Sequence, residues 1–345
     1  MTCPLTRASL LLTLGLSLLA APPTPGFGVW THADISKAAF AQSSTAAAPQ
    51  DLGGAGSAGT SRLPPFNLLV SAPQDGVSLT ADQVVVSGTV AGADDPAVGV
   101  VVNGTPTPVI GGRWAAAVPL GEGVNPLSVI ATDRSGRQAA ATVTVTVLAA
   151  SPEPVVLRAT PTSGSAPLTV SWEVGNYTGR ALVEFAFDPT GQGRFGPPTT
   201  TFGKASTTYP TPGVFLPTLR ATDKAGTTYQ VTTVLPVLDQ TALDAHLQAQ
   251  WASLKSALTA GNPAAALPLF MSAVRPRYAE LFEKAASALP HLGAGMPAIQ
   301  LVYLTDTVAK YRLRRPQRLG GARESIAHYV YFSVDEDGLW RLESF

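Results

Sequence analysis

The residues of this 345-residue chain that could carry chemistry are scattered rather than clustered. Its four histidines, His32, His246, His291 and His328, fall one to a region, with no H-x-x-H or H-x-x-x-H spacing. A zinc site draws on a cluster of such ligands, so His246 and His328 read as ordinary surface or half-buried histidines. No G-x-S-x-G, phosphate-binding loop or dinucleotide fingerprint occurs. The acidic stretches Asp94-Asp95 and Asp335-Glu336-Asp337 sit in turn contexts and read as solvated. A general acid with a raised pKa needs burial. The expectation is therefore a chain without catalytic residues and without a cofactor.

Two stretches remain. E-F-A-F-D-P-T-G-Q-G-R-F (184–195) has the frame of an aspartate-rich calcium loop, but only Asp188 keeps a carboxylate where Thr190 and Gln192 replace acids. Calcium takes several oxygens, mostly carboxylate, so the loop reads as a metal-free turn. The other is A-K-Y-R-L-R-R-P-Q-R (309–318). On a strand, Lys310, Arg312 and Arg314 share one face, with Tyr311 and Leu313 on the other. Arg315 and Arg318 extend the basic cluster into an expected loop. Two readings stay open: a solvated face balanced by carboxylates on neighbouring strands, or a docking patch for an acidic polysaccharide, a phosphate-rich envelope polymer or an acidic protein face.

The elements that must position these residues begin after an export-type start. Arg7 precedes the apolar core A-S-L-L-L-T-L-G-L-S-L-L-A-A (8–21), too short to span a membrane comfortably. Residues 1–41 are expected to hold a signal peptide, cut after Ala20 or Ala21 or at the small-x-small site Ala39-Phe40-Ala41. No membrane span is expected after its removal. Cys3 precedes the apolar core, so disulfides are not expected in the mature chain. Residues 42–65 collapse to Ala, Ser, Gly, Thr and Pro, a flexible tether with a reach of about 25 Å. Formal net charge is zero and only 13% of residues are charged. With the export signal, that balance disfavours a nucleic-acid partner.

Beyond the tether a hairpin signal occurs twice, A-T-D-R-S-G at 131–136 and A-T-D-K-A-G at 221–226. Each Asp can hydrogen-bond the backbone ahead, and each Gly can take positive φ. A ninety-residue spacing suits two tandem β-sandwiches of immunoglobulin size. Trp114 is expected to plug the first core. S-A-P-Q-D-G, V-V-V-S-G-T-V, V-V-V-N-G and V-P-L-G-E-G-V-N-P-L-S-V-I-A-T-D-R-S-G, across 66–148, resemble the bacterial Ig-like domains appended to secreted glycosidases such as glucodextranase. That resemblance implies a spacer or binding role outside the cytoplasm and no active site. A-T-P-T-S-G-S-A-P-L-T-V-S-W (159–172) and T-Y-P-T-P-G-V-F-L-P-T-L-R-A-T-D-K-A-G (208–226), within 155–238, resemble the PKD domain of bacterial surface proteins. The family's W-x-F-G-D-G is missing here.

From 240 to 345 the texture changes. Leu243, Leu247, Trp251, Leu254 and Leu258 form one helical stripe. Residues 264–271 and 276–289 read as further helix, and 299–306, 308–315, 325–334 and 339–345 as strands. Helices followed by a meander of strands make an α+β domain, and the order, with the ending F-S-V-D-E-D-G-L-W-R-L-E-S-F, resembles the nuclear-transport-factor-like, SnoaL-like cone fold. The fold class expected is thus two all-β sandwiches followed by an α+β domain. The expected function is that of an exported, non-catalytic bacterial surface or envelope protein, its two rod-like spacers presenting the C-terminal domain to a protein or carbohydrate partner. Two alternatives remain: an accessory or enzyme with a small-ligand pocket, pairing His328 with Asp306, or a partner of a large secreted repeat protein.

Overall fold

Alternation of apolar and polar residues at period two, broken by Gly and Pro, makes the chain from Phe66 to Leu238 fold as strands. The computed structural model describes residues 66–92, 96–203, 205–319 and 322–345, and of 316–319 and 322–324 the backbone only. The expected leader and tether, with Cys3 and His32, and Asp94-Asp95 lie outside the described residues.

The first sandwich contains β1 (Asn67–Ala72), β2 (Val77–Ala81), β3 (Gln83–Ala91), β4 (Val98–Val102), β5 (Thr105–Thr107), β6 (Arg113–Pro119), β7 (Gly123–Asp133) and β8 (Gln138–Ser151). A sheet ordered β1-β3-β6 faces one ordered β2-β8-β7-β4-β5. Val86, Val100, Trp114, Leu127, Val129 and Val145 fill the space between them, each at most 1% exposed. The second sandwich contains β9 (Val155–Thr160), β10 (Gly164–Ser165), β11 (Leu168–Asn176), β12 (Leu182–Asp188), β13 (Ala205–Tyr209), β14 (Gly213–Phe215), β15 (Thr218–Asp223), β16 (Thr228–Thr232) and β17 (Leu235–Leu238). Val170, Trp172, Leu219 and Leu235 are central to its core, with the Tyr209 and Phe215 rings 4.6 Å apart. The two hairpin turns work by one mechanism. Asp133 Oδ1 accepts the amides of Ser135 and Arg137, and Asp223 Oδ1 those of Ala225 and Thr227.

The C-terminal part begins at Asp239, whose side chain accepts the Ala242 amide and caps α1 (Gln240–Thr259). There follow α2 (Pro263–Ala266), α3 (Arg275–Lys284), α4 (Leu289–Ala294), β18 (Gln300–Leu304), β19 (Val308–Leu319), β20 (Ala322–Val334) and β21 (Trp340–Ser344). The sheet runs β18-β19-β20-β21, all antiparallel. Leu247, Leu254 and Leu258 of α1 pack with Ala309, Tyr311, Val330 and Phe332, all fully buried, so the inner side of the sheet is filled core. The helix expected over 264–271 stops after one turn. Pro268 lacks the N–H that would continue it, and the chain passes through a 3-10 turn into a bridge between Phe270 and Leu342. Likewise 276–289 breaks after Lys284.

The sandwiches do not form a rod that leads to the last part. The first sandwich folds back onto it. Gly99 of β4 lies backbone against backbone with the Asp335–Gly338 turn between β20 and β21: a Cβ at Gly99 would fall on the Asp337 carbonyl and on Gly338, whose φ is +80°. That turn is not solvated as expected, because Asp335 is 2% exposed. Ser272 donates its amide and hydroxyl to Asp335 at 2.9 and 2.8 Å, and Arg341 donates to both Asp335 and Asp337. Burial opposes ionisation of Asp335, but those hydrogen bonds and the Arg341 charge hold its carboxyl below the usual range. Pro96 and Pro108 of the first sandwich, Pro212 of the second and Trp340 of the third border a cleft of about 380 Å³.

His246 lies in the same quarter. The Gln250 amide nitrogen stands 2.8 Å from its Nε2 and donates to the Trp340 carbonyl at 2.9 Å. Accepting from an amide requires a neutral imidazole. Burial, with Arg134 of the first hairpin nearby, lowers the His246 pKa to about 4, against about 6.5 when free. Between those values the unfolded chain binds a proton that the folded chain refuses. Stability should therefore be full above about pH 6.5, fall as pH drops through the window and stop falling on this account below about pH 4. His246→Gln, which keeps an acceptor, is expected to flatten the denaturant-unfolding free energy across that window. An unchanged slope would contradict the buried neutral histidine.

Candidate recognition surface

β19 alternates as its sequence dictates. Ala309, Tyr311 and Leu313 point into the core at 0–3% exposure, which leaves Lys310, Arg312 and Arg314 on the outer face. Tyr311 carries its hydroxyl into the core and donates it to Asp244 at 2.7 Å, and burial raises its pKa. That tie locks the strand against α1 and so fixes which side faces out.

Register brings tyrosines to the cations. Lys310 stands opposite Tyr303 of β18 and Tyr331 of β20, and Arg312 opposite Gln300 and Tyr329. Lys310 Nζ lies 4.0 Å from the Tyr329 ring centroid, 5.4 Å from that of Tyr331 and 6.0 Å from that of Tyr303. A hydrogen bond with Tyr331 leads the causes that raise the Lys310 pKa, so the charge persists well into the alkaline range. Arg312 donates to Gln300 Oε1 at 2.7 Å, and Arg314 is exposed. Val302, Tyr303 and Tyr329 remain 45–48% exposed. The outer face of this sheet is therefore aromatic and cationic together.

Of the expected site residues, Lys310, Arg312 and Arg314 are brought together. Arg315 falls on the opposite face, half-buried, with its Nε buried and unpartnered, as is the Nε of Arg312. Arg315 and Arg318 do not enter a loop: β19 continues to Leu319, paired with β20 throughout. Beyond Gln300↔Arg312 and Tyr331↔Ser344 the flanking strands end, and the hairpin is a two-stranded ribbon. A ribbon leaves one edge of each strand without a partner, so Pro316, lacking an N–H, is tolerated there. The tyrosines were not among the expected residues. Tyr329-x-Tyr331 shows a shared face by parity, but their meeting with Lys310 depends on register.

His328 and Asp306 are not brought together. His328 pairs with Leu313, whereas Asp306 precedes Val308, which pairs with Ser333, so about 17 Å of strand separates them. At the second sandwich, Asp188 is 1% exposed. Its Oδ1 accepts the Thr190 amide and hydroxyl and the Gly191 amide at 2.9–3.0 Å, and its Oδ2 accepts the Arg194 amide at 3.0 Å. Burial opposes its ionisation, but these bonds hold its pKa below the usual value. The carboxylate closes the loop by itself. Among the described residues no three His, Cys, Asp or Glu side chains gather as a metal site, and no helix is long and apolar enough to cross a membrane.

The likeness to a known family lies in the first sandwich. Residues 66–149 match the family model of glucodextranase domain B. That domain is a non-catalytic Ig-like accessory module. No curated protein matches the chain at a significant level. Among solved structures, the chain is similar to the fibronectin(III)-like modules of CbhA from Clostridium thermocellum, at 14% identity and TM-score 0.20, covering 50% of this chain and 95% of that one. It is also similar to dimeric latent PorU from Porphyromonas gingivalis, at 11% identity and TM-score 0.26, covering 52% and 20%. Extracellular cadherin domains 1–4 of protocadherin gamma B7 align at 12% identity and TM-score 0.18, covering 51% of each chain.

Asp188→Ala should lower unfolding free energy by about 2–4 kcal/mol, since it strands buried donors. Calcium or a chelator should leave the wild-type Tm unchanged. A calcium-dependent rise in Tm would reveal a metal loop instead.

Proposed function

We propose that this chain is an exported, non-catalytic binding protein, and that the outer face of its C-terminal sheet contacts a protein or carbohydrate partner of the bacterial envelope or surface. The carrying observation is the coincidence on one exposed face of Tyr303, Tyr329 and Tyr331 with Lys310, Arg312 and Arg314. Tyr and Arg are the residues that dominate binding energy at interfaces. The filled inner side of the sheet favours this reading over a small-ligand pocket in the cone. Export draws its support from the leader-like start, Arg7 followed by the apolar run 8–21, and the accessory role from the Ig-like match over 66–149.

We read the chain as modules at 66–148, 155–238 and 240–345. The second is PKD-like, supported by the Tyr209–Phe215 contact, and the third is of the cone type, supported by a helix-packed antiparallel sheet. Arg315 and Arg318 belong to the same cationic element as the face residues.

Retention on isolated cell-envelope material tests the proposal. Binding should fall as salt rises from 50 to 500 mM, roughly following screening of exposed charges. Arg312→Glu with Arg314→Glu should reduce retention at low salt at least about tenfold, as reversed charges in a contact do. Retention equal to wild type in the double variant would remove this face from the binding surface.

A further inference from the structure

The hairpin formed by β19 and β20 separates charge from the rest of the molecule. Residues 308–334 hold six cations, Lys310, Arg312, Arg314, Arg315, Arg318 and Arg323, against one carboxylate, Glu324, a net of +5. The whole chain has a formal net charge of zero, so the excess is local to this element. Its geometry is linear. Alternate residues on a strand lie about 6.6 Å apart, so Lys310, Arg312 and Arg314 space their charges over roughly 13 Å, and the backbone reaches Arg318 about 26 Å from Lys310.

At the base of the ribbon, Tyr329 and Tyr303 expose aromatic surface beside the first cations. Aromatic rings offer a flat apolar body with a polar tip, complementary to the alternating C–H and hydroxyl surface of a sugar ring.

We infer that the occupant of this face is a linear acidic polysaccharide running along the outer face of β19, its carboxylates or sulfates met by Lys310, Arg312 and Arg314 and its sugar rings by Tyr303 and Tyr329. This rests on the proposed function above and narrows its partner to one class. A linear polyanion is favoured over an acidic protein because Lys310, Arg312 and Arg314 lie in line on one face of a single strand and not in a rounded patch.

The test titrates the full-length chain with oligogalacturonates of increasing length, with neutral dextran and with inorganic polyphosphate, beside envelope retention. Oligogalacturonate affinity should rise with length until the track is covered, fall with salt, and drop about tenfold in Arg314→Glu. Tyr329→Ala should lower it about fivefold while leaving polyphosphate binding unchanged. Both side chains are exposed, and unchanged thermal unfolding confirms that the variants fold. Equal Tyr329→Ala effects on both polymers, or none on either, would overturn the sugar contact. Protease-sensitive envelope retention without any oligogalacturonate binding would overturn the inference while leaving the proposed function standing, with a protein as partner. Loss of both kinds of binding in the wild type would sink both.

Discussion

Backbone against backbone, Gly99 and Gly338 hold the first sandwich to the C-terminal sheet, and the arrangement of the described residues depends on that contact. Two chains approach this closely only where neither has a side chain. The contact is prepared from the other side by Asp335, buried and bound by Ser272 and Arg341, with Asp337 completing a bidentate pair to the same arginine. A buried carboxylate is tolerable only with its oxygens engaged. The turn is therefore a rigid wedge, and the first sandwich seats on it.

This arrangement changes what the sandwiches do. A rod would hold the last domain at a distance and let it swing. A docked sandwich instead fixes the base of β20 and β21, and with it the orientation of the sheet whose outer face carries Lys310 and its tyrosines. The same sheet is closed on its inner side by α1, through Leu247, Leu254 and Leu258 and the Tyr311–Asp244 hydrogen bond. With the inner side filled, the cations and tyrosines of this sheet face outward. Burial on one side and docking at the base leave the cations and rings pre-oriented, which lowers the ordering cost of any partner contact.

Much of this was legible from residues alone. Both Asp-Gly hairpins, the Trp114 plug, the α1 stripe and the parity of Lys310, Arg312 and Arg314 all follow from local periodicity, which the folded chain obeys. What was not legible depends on distant partners. Asp335 reads as a solvated turn residue because Ser272, which buries it, is 63 residues away. Gly99 sits in V-G-V-V-V, where nothing marks it as a contact point. The tyrosine cluster needs the β18–β19 register, shifted by an irregularity between Leu301 and Tyr303, which sequence alternation alone does not give. From sequence the strand ends at Arg315, whereas β19 pairs on to Leu319. Pro316 is accommodated there because the hairpin has no outer neighbours at that point.

The close approach of Gly99 to Gly338 joins the first sandwich to the C-terminal domain, and the distance between the two tests whether they move as one unit. Spin labels at Ser135 in the first hairpin and Gln248 on α1, in a chain with Cys3 replaced by Ser, would report the distance between them. A single narrow distance distribution is expected, and it should broaden when Gly99→Val is added. A broad distribution in the chain with native Gly99, or one unchanged by Gly99→Val, would contradict it.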